Sequence, residues 1–93
     1  MSWDYSFTAK ARKELKKLGH EPARKIIQFL DERIQGGDNS REFGKALGGD
    51  LGEYWRYRIE DYRIEDYRIL CEIKDDSLIV LVVKAGHRRD VYL

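Results

Sequence analysis

The side chains of this chain best suited to chemistry are arginines, and they fall in two groups. Arg56, Arg58, Arg63 and Arg68 share one stretch, while Arg88 and Arg89 share another, with His87 just before them and Tyr92 just after. A guanidinium has a pKa above about 12, so these groups act as fixed cations that stabilise negative charge and are poor at moving protons. Proton transfer near neutrality needs another group, and His87 is the nearby residue of a type suited to it. A lone surface histidine is ordinarily inert, so the general base stays open. His20 lies in a predicted helix link, away from this cluster. The two histidines and Cys71 are far apart in sequence and show no metal-ligand spacing, so neither a metal nor another cofactor is expected.

The elements that must hold these residues follow from periodicity. Tyr54–Ile59, Tyr67–Ile73 and Leu78–Val83 read as strands, the last apolar enough to be buried on both faces. Asp75-Asp76-Ser77 is a natural turn before it. Alternate residues of a strand share a face, which puts Arg56 and Arg58 together, and Arg68 can sit across a hairpin from Arg58. Upstream, Trp3, Tyr5 and Phe7 alternate with Ser2, Asp4 and Ser6, the pattern of a first strand with an aromatic face. Thr8 then caps a helix with Ala11, Leu15 and Leu18 on one side, and Gly19 stops it. Pro22 suits the first turn of a second helix, whose stripe is Ile26, Ile27, Leu30 and Ile34 and whose end is Gly36-Gly37. Between Asp38 and Gly52 the chain is irregular, with one short helical turn predicted at Phe43, Ala46 and Leu47. The order β-α-α-β-β-β gives an α+β fold, a small twisted, mostly antiparallel sheet packed against a two-helix hairpin, as one domain over residues 1–93.

Composition narrows the function classes. With 18 basic and 17 acidic residues the net charge is +1. Nucleic-acid binders usually carry a stronger positive balance, so any RNA site here must come from the arrangement of charges. No apolar run approaches the roughly 20 residues of a membrane span, and the start of the chain lacks the pattern of a secretory signal. Cys71 is alone and cannot form an internal disulfide. The expectation is a cytoplasmic protein with no membrane partner.

Residues 57–61, Tyr-Arg-Ile-Glu-Asp, recur identically at 62–66, and Tyr67-Arg68-Ile69 begins a third copy. This reads as a local tandem duplication within a hairpin. Sliding a flanking strand by five residues would turn its buried side chains outward. Lengthening the turn from about two to about seven residues costs only about 1 kcal/mol. The expectation is therefore a loop around residues 60–66, with Arg58 still facing Arg68. Two alternatives are a strand-swapped dimer and a shifted register in which Arg63 replaces Arg58.

Leu51-Gly52-Glu53-Tyr54-Trp55-Arg56-Tyr57-Arg58-Ile59, then Asp66-Tyr67-Arg68-Ile69 and Gly86-His87-Arg88-Arg89-Asp90-Val91-Tyr92, resemble in order and spacing the RelE/ParE toxin superfamily. They are most similar to its RelE-type mRNA interferases, and the helical hairpin and Phe43–Leu47 also fit. The chain departs from the family pattern in its five extra residues and in Glu65, where a hairpin glycine is usual. The resemblance implies a RelE-like fold and a toxin of a type II toxin–antitoxin system. It implies a ribosome-dependent endoribonuclease that cleaves mRNA without a metal, with a cognate antitoxin, the ribosome and mRNA as partners. Separately, a loop of about seven residues closes without strain, so the free chain is expected to be a monomer.

By the same resemblance, Arg56 and Arg58 match the family's basic strand pair, Arg68 its phosphate-stabilising arginine, Arg88 its C-terminal catalytic arginine and Tyr92 its terminal aromatic. Arg63 and Arg89 are further substrate-binding candidates, and His87 is the candidate acid or base. Plain structural roles compete with these: Arg56 and Arg58 as solvent-facing alternates, Arg68 paired with Glu72, and Tyr92 packing a terminal strand. Two other functions stand beside the nuclease. One is a ParE-like toxin that inhibits gyrase, a group that generally lacks the full basic set. The other is an impaired toxin that only binds its antitoxin, which the insertion beside the site favours.

Overall fold

Thr8 turns the chain from strand into helix: its hydroxyl accepts the Ala11 backbone N–H at 3.1 Å, satisfying one of the free donors of the first turn. The computed structural model describes residues 2–38, 41, 44–47, 54–61 and 64–87, with only the backbone of 60–61 and 64–66. Its elements are β1 (Asp4–Phe7), α1 (Ala9–Leu18), α2 (His20–Arg33), β2 (Gly44–Ala46), β3 (Tyr54–Asp61), β4 (Ile64–Lys74) and β5 (Ile79–His87). Gly19 alone links the helices, with a φ of 97° that disfavours other residues. The end of α2 is tied back to the first strand, because Trp3 donates to the Gly37 carbonyl and Gly36 donates to that of Trp3. No helix among the described residues is long and apolar enough to cross a membrane.

The strands form one sheet in the order β1-β5-β4-β3-β2. Only β1 and β5 run parallel, which a crossover through the helical hairpin permits; the other neighbours are antiparallel. Both helices cover one face. Ala11, Leu15, Ile26, Leu30 and Ile34 pack there against Tyr57, Ile59, Tyr67, Ile69, Cys71, Val80, Val82 and Ala85. Each large apolar side chain in that layer contributes roughly 1.5–3 kcal/mol. Tyr5 joins β1 to α2 by donating its hydroxyl to Asp31. Burial, then that bond and the carboxylate's charge, push its pKa up to about 12.

The α+β architecture is as expected, with four differences. Residues 44–46 form an edge strand, where a helical turn was predicted; Lys45 pairs with Arg56 across it. The reason is Gly44, which lies so close to β3 that a Cβ would run into the Trp55 indole and the Arg56 carbonyl. Ile27 is exposed, since Ala23, Ile26, Phe29 and Leu30 fill the inner face of α2. β5 is longer than predicted and buried chiefly on its helix side, with Ile79 and Leu81 half-buried.

The fourth difference concerns the repeat. Arg58 faces Arg68, as the register argument required, and Ile59 faces Tyr67. Where a loop over 60–66 was expected, the described residues continue to pair, through an irregularity, to Asp61 opposite Ile64. The Tyr and Ile of the repeated unit are good strand formers, and cross-strand pairs are each worth about 0.2–1 kcal/mol. Those pairs outweigh the ease of closing a longer loop. Arg63 falls outside the described residues.

Candidate functional site

Strand alternation separates two sets of side chains. On β3, Tyr57 and Ile59 face the helices while Tyr54, Arg56 and Arg58 face away. On β4, Tyr67, Ile69 and Cys71 face the helices while Arg68, Leu70 and Glu72 face away. This outer face carries the candidate site. One row across it is Arg58–Arg68–Gly86, and the next is Lys45–Arg56–Leu70–Lys84.

The two guanidinium-bearing positions of the first row differ in environment. Arg58 is exposed, whereas Arg68 keeps only 5% of its surface accessible. Its place on a central strand explains this, with Arg58 and Gly86 on either side of it and Leu70, 3% exposed, two residues along. A cation screened from water acts on a bound anion more strongly than one in bulk solvent. Glu72 pairs with Lys74 at 2.7 Å.

A bulge completes the second row. β4 and β5 shift register between Leu70 and Cys71, which pair with Lys84 and Val82, so Val83 is the extra residue. Without it, alternation from Val82 would carry Lys84 into the helix side. With it, Lys84 joins Arg56 on the outer face and Ala85 enters the core. The Ala85 N–H donates to the Glu14 carboxylate of α1 at 3.1 Å. Lys45, Lys84 and Glu14 were not among the residues picked out from sequence. The one legible signal was the apolar phase slip Val82-Val83 ahead of Lys84.

The family model for the ParE toxin of type II toxin–antitoxin systems, parDE, matches residues 5–92. The chain belongs to the ParE toxin family. Solved structures agree with its place in the wider RelE/ParE superfamily. The toxin–antitoxin complex RelBE2 of Mycobacterium tuberculosis contains a chain 28% identical, with a TM-score of 0.74, covering 95% of this chain and 100% of that one. A mutant of the E. coli toxin RelE in the free state is 21% identical with a TM-score of 0.75, covering 98% and 88%. YafQ from E. coli is 12% identical with a TM-score of 0.60, covering 98% and 99%. At these lower identities the likeness is one of fold. No curated protein matches the sequence significantly.

In this toxin the remaining candidates divide. Arg88, Arg89 and Tyr92, like Arg63, lie outside the described residues. His87 pairs with Tyr67, their rings tilted by 37° with centroids 4.8 Å apart, which places it on the helix side of the sheet, away from the Arg58–Arg68 row. Cys71 is fully buried, and burial pushes its thiol pKa well up, so it is not a ready nucleophile. No cluster of His, Cys, Asp or Glu among the described residues could hold a metal ion. The far edge of the sheet is braced by Arg41, which makes two 2.9 Å bonds to Asp75 in the β4–β5 turn and lies over the Trp55 ring. The Arg41 guanidinium holds the Asp75 carboxyl below its usual pKa.

Proposed function

We propose that this toxin is an endoribonuclease that cleaves mRNA on the ribosome, with the outer-face arginines stabilising the reacting phosphate. The observation that carries this reading is the cross-strand pair Arg58–Arg68, one exposed and one nearly buried, beside Arg56. Attack of a ribose 2′-oxygen on the adjacent phosphorus builds negative charge on the phosphate oxygens. Fixed guanidinium donors held by a sheet stabilise that charge without reorganising. Arg58 meets the substrate from solvent, and Arg68 supplies charge from the sheet surface. Proton transfer is assigned to a group other than His87, whose ring contact with Tyr67 fits a packing role. The regular pairing of Arg58 with Arg68 supports an intact site over an impaired one, since the irregularity in this hairpin lies beyond that row.

Arg58 leaves β3 on the outer face, yet it also borders a groove of about 480 Å³ against α2, whose walls include Lys25, Phe29, Glu32, Arg33 and Ile59. A cognate antitoxin with an acidic, partly apolar segment would suit it. The gyrase-inhibiting reading is favoured by the ParE family match. Primer extension on mRNA from translating ribosomes, run beside an assay for gyrase-linked DNA breaks, tests the choice. New mRNA ends within codons, with DNA intact, are the expected outcome. Uncut mRNA with accumulating DNA breaks would replace the nuclease with gyrase inhibition.

A further inference from the structure

A second recess lies on the same outer face as the arginine row, on the side toward β1. It has a volume of about 370 Å³ and is lined by Thr8, Lys10, Tyr54, Leu70, Val83 and Lys84. That size sits at the lower end of small-ligand pockets. We propose that it is a nucleotide subsite, taking the base and phosphate of a residue of single-stranded RNA next to the one held at Arg58 and Arg68. The inference rests on the nuclease reading and extends it to substrate selection.

Three features support it. First, Leu70 lies two residues from Arg68 on the same face of β4, about 6.6 Å along the strand, so an extended RNA strand seated on the arginines reaches the recess with its next nucleotide. Second, the walls combine what a flipped-out nucleotide needs. Leu70 and Val83 give an apolar floor and Tyr54 an aromatic ring for a base, while Lys10 and Lys84 are placed for its phosphate. Third, the far wall is the start of α1, whose first turn holds no acidic residue, so the positive end of the helix dipole adds to the two lysines. The recess depends on the β5 bulge, because Lys84 reaches this face only through the extra residue Val83.

The test is mRNA cleavage on ribosomes programmed with transcripts that vary the bases around one cut site. It uses the full-length toxin, Tyr54→Ala, Tyr54→Phe and the double variant Lys10→Gln/Lys84→Gln. Tyr54→Ala should reduce cleavage about 5- to 100-fold at preferred sequences and flatten the preference at the base adjoining the cut. Tyr54→Phe, which keeps the ring, should restore both. The lysine variant changes no core residue, and it should raise the half-saturating toxin concentration several-fold. Loss of folding alone would lower cleavage without altering base preference. An unchanged preference with Tyr54→Ala, together with unchanged saturation by the lysine variant, would overturn the proposal. So would variants that cleave normally but resist neutralisation by antitoxin, since the recess would then serve the protein partner. A wild-type toxin that never cuts mRNA would remove the nuclease reading itself before any variant is compared, and this proposal with it.

Discussion

The helix-covered and outer faces of the sheet are made from alternate residues of the same strands, yet their composition is nearly opposite. Tyr57, Ile59, Tyr67 and Ile69 point to the helices and are almost wholly buried, while Arg56, Arg58 and Arg68 point the other way from the neighbouring positions. The inner set fixes the register through apolar burial. The outer set is then free to bring cations together, which would be unfavourable without a scaffold, because like charges directly opposite repel. That is how a chain with a net charge of +1 can still present a basic surface. Strand parity sorts charged side chains from apolar ones, and Glu72 on the same outer face is engaged by Lys74.

The contrast breaks most visibly at Tyr57. It is fully buried and packs against Phe29 at a ring distance of 5.7 Å, so Tyr57→Ala should cost about 3–5 kcal/mol in urea unfolding. A cost below that of Arg58→Ala would mean the two faces are not divided as described. Next in size is the bulge that sorts Lys84 outward. Glu14→Ala strands the Ala85 N–H and should destabilise by about 1–3 kcal/mol, with faster hydrogen exchange at that amide. Glu14→Gln retains an acceptor oxygen and should recover most of both. Similar in scale, Gly44→Ala should cost about 1–3 kcal/mol, because the added methyl meets the Trp55 ring and the β3 backbone.

The smallest expected effect is at Tyr5, on the helix side. Its folded pKa is raised to about 12 from 10.0, so its stabilising contribution is complete below pH 10 and is lost as pH rises toward 12. Tyr5→Phe should be less stable near neutrality and show a flatter alkaline limb in a stability–pH profile. A wild-type profile with no decline across that range would remove the Asp31 bond from the account. His87→Gln sharpens the contrast from the catalytic side: placed with Tyr67, it should leave the pH dependence of cleavage unchanged.

Much of this division was legible in the sequence. Spacing two apart put Arg56 and Arg58 on one face, and the parity cost of a five-residue slip kept Arg58 opposite Arg68. Thr8, Gly19 and Pro22 marked the helical hairpin. What stayed hidden depended on contacts between distant segments. The β2 edge strand exists because Gly44 fits beneath Trp55, and local pattern alone favoured a helical turn there. The burial of Arg68 comes from its central place in the sheet, set by β3 and β5 together. The bulge at Val83 needed Glu14, 71 residues from Ala85, to satisfy an N–H that the shifted ladder releases. The side that His87 faces depends on the same bulge, which local pattern does not reveal.

The most direct test of the central claim is the Arg58→Ala variant, assayed together for single-turnover mRNA cleavage on ribosomes and for its urea midpoint. The outer-face account predicts a loss of cleavage of at least about 100-fold, with stability changed by no more than about 0.5 kcal/mol. Cleavage at the wild-type rate by a folded Arg58→Ala protein would contradict it.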